Sequence, residues 1–141
     1  MPRKDRHHEI VRRALITDGW IITDDPYRLR VPGIRQEIDF GAEKIIAAEK
    51  QNHKIAVEVK GFIEESYIYE FYKALGQFTS YRINLKKVEP DRLVYLAVPK
   101  PVYETFFQIE AIQETVQESQ MRIVVFDLQT EIFTAWIPEV K

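Results

Sequence analysis

Between residues 5 and 18 the apolar positions Ile10, Val11, Ala14, Leu15 and Ile16 recur at intervals of three and four among charged neighbours, which lays one stripe along a helix. Gly19 stands where a C-terminal cap belongs, so the pattern predicts a first amphipathic helix that stops there. Residues 20–23 and 27–31 then read as two short strands paired in a hairpin around Asp24-Asp25-Pro26, with Pro32-Gly33 ending the second. Further strands are expected over 37–40, 44–49 and 54–60, the last after a polar turn at Gln51-Asn52-His53. The apolar density of IIAAE and IAVEVK suggests central strands.

The longest helical pattern spans 64–85, with Tyr67, Phe71, Leu75 (beside Ala74) and Phe78 on one stripe, and it must cover the sheet. Residues 92–98 (RLVYLAV) read as a buried strand closed by Pro99-Lys100-Pro101. Residues 103–118 follow as one helix, then 121–127 and 131–137 as a terminal strand pair. The order α, several β, α, β, α, β, β indicates an α/β fold of mixed α+β type, a central mixed sheet flanked by helices. With no internal repeat, low-complexity tract or Gly/Ser linker, residues 1–141 are expected to form one domain burying about two thirds of the unfolded surface.

Charge narrows the picture. Twenty Lys and Arg against 22 Asp and Glu leave a net charge of −2, which excludes a globally basic polyanion binder. The distribution is uneven: residues 1–35 hold eight basic against five acidic side chains, and residues 101–141 hold two against seven. Local phosphate contact through Arg3, Lys4, Arg6, Arg12, Arg13, Arg28, Arg30 and Arg35 competes with a merely solvated face. The absence of cysteine excludes disulfides, thiolate metal sites and a cysteine nucleophile. A charged start (MPRKDRHH) and no apolar run near the length of about 20 residues that spans a bilayer predict a cytoplasmic protein without membrane contact.

In IAVEVKG the period of two puts Glu58 and Lys60 on one face of a strand and Val57 and Val59 on the other. A surface ion pair contributing about 0 to 1 kcal/mol would explain these two charges alone. Asp39 lies 19 positions upstream, just before Gly41, a bend from which the chain could return beside the strand. Two carboxylates brought together suit a hard cation such as Mg²⁺ or Mn²⁺, which keeps waters and accepts phosphate oxygens. Such an ion activates water and stabilises developing charge, while a lysine positions water or phosphate. On the long helix Lys73, Gln77 and Tyr81 share a face at i, i+4 and i+8. They either edge the solvent side or line this site.

Asp39 with Glu58-Val59-Lys60 resembles the acid and E-x-K of the PD-(D/E)xK nucleases, with Ile38 in place of the proline of the motif's name. That resemblance implies a restriction-endonuclease-like core and catalytic roles for Asp39, Glu58, Lys60 and Gln77, with Asp39 and Glu58 as metal ligands. Lys73 and Tyr81 are accessory candidates, as is Glu9, which a surface pairing with Arg12 and Arg13 explains equally well.

A resemblance to the XisH family runs over nearly the whole chain, through MPRKDRHH, ALITDGWIITDDPYRLR, DFGAEKIIAAEK, KIAVEVKGF, KALGQFTSYR, LVYLAVPK and IVVFD. That family is named for the factor controlling excision of the fdxN element in heterocyst-forming cyanobacteria. It implies a role in programmed DNA rearrangement, with DNA, a recombinase of the excision system and a small XisI-like protein as partners. The acidic C-terminal third offers a surface for protein contact. A homodimer follows by analogy with small nucleases that must address two strands.

Other chemistry finds little support. His7 and His8 point about 100° apart on a helix and His53 falls in the expected turn, unlike a zinc pair. There is no P-loop, dinucleotide fingerprint or nucleophile elbow. Tyr67, Tyr69, Phe71 and Tyr72 are read as core and interface residues and not as base-stacking groups. Two readings therefore stand: a Mg²⁺-dependent endonuclease-like factor, and a non-catalytic regulatory subunit that keeps the acidic cluster and works by binding its partner.

Overall fold

The computed structural model describes residues 2–46 and 51–139. Helix α1 (Arg3–Thr17) is followed by strands β1 (Ile21–Asp24), β2 (Tyr27–Val31), β3 (Ile34–Ile38), β4 (Phe40–Ile46) and β5 (Gln51–Val59). Then come α2 (Tyr67–Val88), β6 (Arg92–Pro99), α3 (Lys100–Thr105), a 3₁₀ turn (Phe106–Gln108), α4 (Glu110–Glu118), β7 (Ile123–Phe126) and β8 (Phe133–Ile137). Six strands form a mixed sheet in the order β1-β4-β5-β6-β7-β8, and β2 with β3 forms a separate two-stranded layer. The parallel pairs are β5 with β6 and β6 with β7, joined by the helical crossovers, while the other neighbours are antiparallel.

The period of two in the strands decides which core each side chain enters. Ala56, Val94, Leu96, Ile123 and Val125 meet Phe71, Phe78 and Leu85 of α2 together with Val102, Phe107 and Ile112. Ile55, Val57, Tyr95, Ala97, Val124 and Phe126 meet Ile10, Val11 and Leu15 of α1 on the opposite face. The sheet is thus flanked by helices on both sides, as the hydrophobic pattern predicts. The first helix ends as expected: Trp20 N donates to Leu15 O and Gly19 N to Ile16 O, each at 3.0 Å, with Gly19 at φ 93°. This is a Schellman cap, which needs a left-handed residue at that point.

Several expectations are corrected. The strands over 20–23 and 27–31 are not each other's partners. Ile21 pairs with Glu43 in the large sheet, whereas β2 turns at Pro32-Gly33 and pairs with β3. Gln51-Asn52-His53 is strand, opposite Ile46, Ile45 and Lys44. Of the strand expected over 44–49, residues 44–46 belong to β4 and 47–49 lie outside the described residues. Gly41 is no bend but a paired strand residue, opposite Ala56. A Cβ there would come within 2.9 Å of both the Asp24 carboxylate and the Tyr27 ring, so glycine admits the crossing of β1 into β2. The helix expected over 103–118 is broken at Ile109, whose ψ of 129° is extended. On one continuous helix Phe107 and Ile112 would lie about 140° apart, and the break lets both face the sheet.

The aromatic group also divides. Phe71 is buried, but Tyr67, Tyr69 and Tyr72 are 40%, 72% and 58% exposed, so only one of the four is core. No helix among the described residues is long and apolar enough to cross a membrane.

Candidate active site

Strand β3 ends at Ile38, the chain bends at Asp39, and β4 resumes at Phe40 beside β5. The bend places the Asp39 carboxyl at the end of β5, where Glu58 follows Ala56 on the face toward α2. The two are clasped reciprocally: Asp39 N donates to Glu58 Oε1 at 3.1 Å, and Val59 N donates to Asp39 Oδ2 at 2.8 Å. Lys60 N donates to Ala97 O at 2.8 Å, which holds the residue in line with β6, and its Nζ lies 3.6 Å from Glu58 Oε2. The Tyr81 hydroxyl of α2 lies 3.3 Å from the same Oε2.

Glu58 is 8% exposed. Burial, and then the neighbouring charge of Asp39, push its carboxyl up to about 7, against the opposing pull of Lys60. Burial and the nearness of Glu58 likewise hold the Tyr81 proton well above the ordinary range.

In front of this cluster opens a cavity of about 350 Å³ bounded by Asp39, Lys60, His7, His8, Glu70 and Lys73, among others. The structure therefore brings Asp39, Glu58, Lys60 and Tyr81 into direct contact and sets Lys73 on the cavity wall. Gln77 lies on the helix face between Lys73 and Tyr81, and its Oε1 is buried with no hydrogen-bond partner among the described residues. Glu9 is not part of the cavity wall; its charge acts on Arg13.

One residue that the sequence did not assign to the site, His8, belongs to the cluster, and Arg12 braces it through Asp25. His8 Nδ1 lies 3.8 Å from Asp39 Oδ1 and its Nε2 3.3 Å from Asp25 Oδ1, with the ring against Phe40 at a centroid distance of 4.3 Å. Arg12 Nη2 donates to Asp25 Oδ2 at 3.0 Å. Periodicity places His8 only on the flank of a helix, and its acidic neighbours come from two distant bends between strands. His7 is buried against Phe126, which lowers its proton affinity, and its Nδ1 lacks a hydrogen-bond partner among the described residues. A Cβ on Gly61 would collide with that ring, so glycine is required where the chain leaves β5.

The donor set suits a hard divalent cation. A buried carboxyl whose charge is disfavoured by its acidic neighbour would be relieved by a cation between them. Among the described residues no three His, Asp or Glu side chains cluster closely enough to enclose a metal, so water or phosphate oxygens would complete the shell of a Mg²⁺ or Mn²⁺ ion held by Asp39 and Glu58.

Fold and cluster together define an α+β protein with a central mixed sheet and an acidic, lysine-bearing cleft at the end of β5. The chain belongs to the XisH family, whose model, described as XisH protein, matches residues 1–134. It is similar to the crystal structure of an fdxN element excision controlling factor protein from Anabaena variabilis, with 47% identity and a TM-score of 0.86 over 94% of this chain and 98% of that one. It is also similar to an XisH family protein from Nostoc punctiforme PCC 73102, with 42% identity and a TM-score of 0.85 over 94% of this chain and 98% of that one. No curated protein sequence matches the chain.

Proposed function

We propose that this XisH-family chain is a controlling factor for programmed DNA element excision, and that its cleft is a Mg²⁺-dependent phosphodiesterase site of the PD-(D/E)xK type on a restriction-endonuclease-like core. The observation that carries this reading is the clasp of Asp39 and Glu58 with Lys60 Nζ 3.6 Å from Glu58. Asp39 and Glu58 would hold the cation. When bound, it supplies a water of lowered pKa and a positive centre for the phosphate. Lys60 positions water or a phosphate oxygen and balances charge as it develops. Tyr81 supports Glu58 from α2, Gln77 lies one turn before it with its buried Oε1 open to a donor, and Lys73 lines the cavity where a phosphodiester would lie. DNA is the substrate, and a second copy of the chain would address the second strand.

One observation favours a second reading. Both oxygens of Glu58 are already engaged by the Asp39 amide, Tyr81 and Lys60, which satisfies them without a ligand. A non-catalytic subunit would keep this arrangement and act through a small XisI-like protein or the recombinase, for which the exposed Glu110, Glu114 and Glu118 on α4 offer an acidic face.

Calorimetric titration of wild type and Asp39→Ala with Mg²⁺ and Mn²⁺, beside incubation with single-stranded, duplex and branched DNA, separates the two. Metal binding and metal-dependent cleavage, both lost in Asp39→Ala, support the nuclease. Neither activity in the wild type, with partner co-purification unaffected by Asp39→Ala, supports the regulator.

A further inference from the structure

Strands β2 and β3 form a two-stranded layer whose inner face, Tyr27, Leu29 and Ile38, joins the core under α2. Its outer face carries Arg28, Arg30, Arg35 and Glu37, all exposed. Arg28 is paired with Glu37 across the strands at 3.6 Å. Arg30, however, stands directly opposite Arg35, and neither has a carboxylate partner among the described residues. Like charges directly opposed on one face of a sheet destabilise it, because their Cβ atoms lie only about 5 Å apart. An alternating acid at either position would remove the repulsion, so the pair calls for an external anion.

The surroundings fit a polymer of phosphates. A groove of about 310 Å³ is lined by the three arginines with Gln36 and Glu37. The turn at Pro32-Gly33 has Gly33 at φ 85° with open space on its Cβ side, so the tip projects freely. Strand β3 leads straight to Asp39. Arg35 lies four residues away, about 13 Å of extended chain, close to the length of about four steps along a DNA strand. Arginine suits this task because its planar fork donates two parallel hydrogen bonds to phosphate. Strand β3 thus carries Arg35 of the groove and ends one residue before Asp39 of the cleft.

We infer that the outer face of the β2–β3 hairpin is a phosphate-binding arm that holds the backbone of duplex DNA alongside the Asp39–Glu58–Lys60 cleft, through Arg30 and Arg35 with Arg28 beside them. This rests on the reading of the protein as DNA-acting, yet it does not require catalysis. Backbone contacts position the duplex without reading sequence. The arm's contribution is therefore uniform across sequences and falls with salt.

The test is fluorescence anisotropy with labelled duplexes of two unrelated sequences, over a salt series, in Ca²⁺ buffer. Arg30→Ala/Arg35→Ala should weaken binding of both duplexes by about tenfold and lower the log–log salt slope by about two, one per lost phosphate contact. The melting temperature should stay level or rise, since the repulsion is gone. Arg30→Lys/Arg35→Lys should keep most of the salt slope. Cleavage is assayed separately in Mg²⁺: a wild type that binds both duplexes and cuts neither would remove the nuclease reading and leave the arm standing. Unchanged affinity and slope in the double alanine variant would overturn the arm, as would failure of the wild type to bind either duplex. Normal duplex binding with lost binding of poly-L-glutamate would also overturn it and assign the face to an acidic protein.

Discussion

The hydroxyl of Tyr81 lies 3.3 Å from Glu58 Oε2 and 3.3 Å from the main-chain carbonyl of Glu37, so one proton serves two acceptors. When Glu58 is ionised the hydroxyl is drawn to the carboxylate; when it is protonated the carbonyl of Glu37 is the better acceptor. Tyr81 thereby ties the protonation of the cleft to the backbone that delivers Asp39.

Removing that hydroxyl leaves a buried carboxylate short of a donor. Tyr81→Phe should lower stability by about 1 kcal/mol at pH 8 and by less at pH 5, where Glu58 is protonated. Urea unfolding at the two pH values measures this; an equal loss at both would detach Tyr81 from the charge on Glu58.

Glu58 itself sets a pH dependence of definite sign. Its folded-state carboxyl is pushed up to about 7 from the ordinary 4.5, so the folded protein binds the proton more tightly than the unfolded chain. The stability linked to that proton is complete below about pH 4.5 and is lost as pH rises through about 7. Thermal melts from pH 5 to 8 should therefore decline in the wild type and flatten in Glu58→Gln. Millimolar Mg²⁺ should restore wild-type stability at pH 8 and leave Glu58→Gln unmoved.

The opposite sign applies at the far end of α2. Tyr27 OH donates to Glu89 Oε1 at 2.7 Å and Arg92 Nε to the same oxygen at 2.9 Å, while Arg92 Nη1 reaches Ile55 O at 2.8 Å. The Arg92 guanidinium, with help from Tyr27, lowers the Glu89 carboxyl to about 2 from 4.5, against the effect of burial. The resulting stability is present above about pH 4.5 and lost as pH falls toward 2. Glu89→Gln should destabilise by about 1 to 2 kcal/mol at pH 7, discounted for partial exposure, and by only about a quarter of that at pH 2.5. Acid titration of the melting temperature in both proteins gives the comparison.

Gly61→Ala should lower stability by about 1 to 3 kcal/mol, because a Cβ would meet the His7 ring and shift the cavity wall. In a His7→Ala background the same substitution should be much milder, so a double-mutant cycle should show strong coupling. Additive effects would show that the clash is relieved elsewhere.

Much of this architecture follows from local pattern. The stripes of α1 and α2, the buried run at 92–98 and the alternation in IAVEVK depend on periodicity and caps, which a chain carries in its own neighbourhood. Asp39, Glu58 and Lys60 could be read as a cluster because charges within an apolar strand are conspicuous. The Tyr69 and Tyr72 rings misled for the same reason, since aromatic density marks a helix without telling which face meets the core.

The amino-acid sequence alone determined the helices α1 and α2 and the buried strand β6, because propensity, period and turn residues act over a few positions. It also marked the acids and the lysine as chemistry in need of a partner. Only the tertiary structure decided that β1 leaves its chain neighbour and pairs with β4, while β2 folds back at Pro32-Gly33 onto β3, since the partner of β1 is chosen by burial across the whole sheet. The same long-range packing broke the helix at Ile109 and placed His8 between Asp25 and Asp39, while the register of the β2–β3 hairpin set Arg30 against Arg35. Those arrangements join residues distant in the chain or fixed by register, and such contacts exist only once both faces of the sheet are covered.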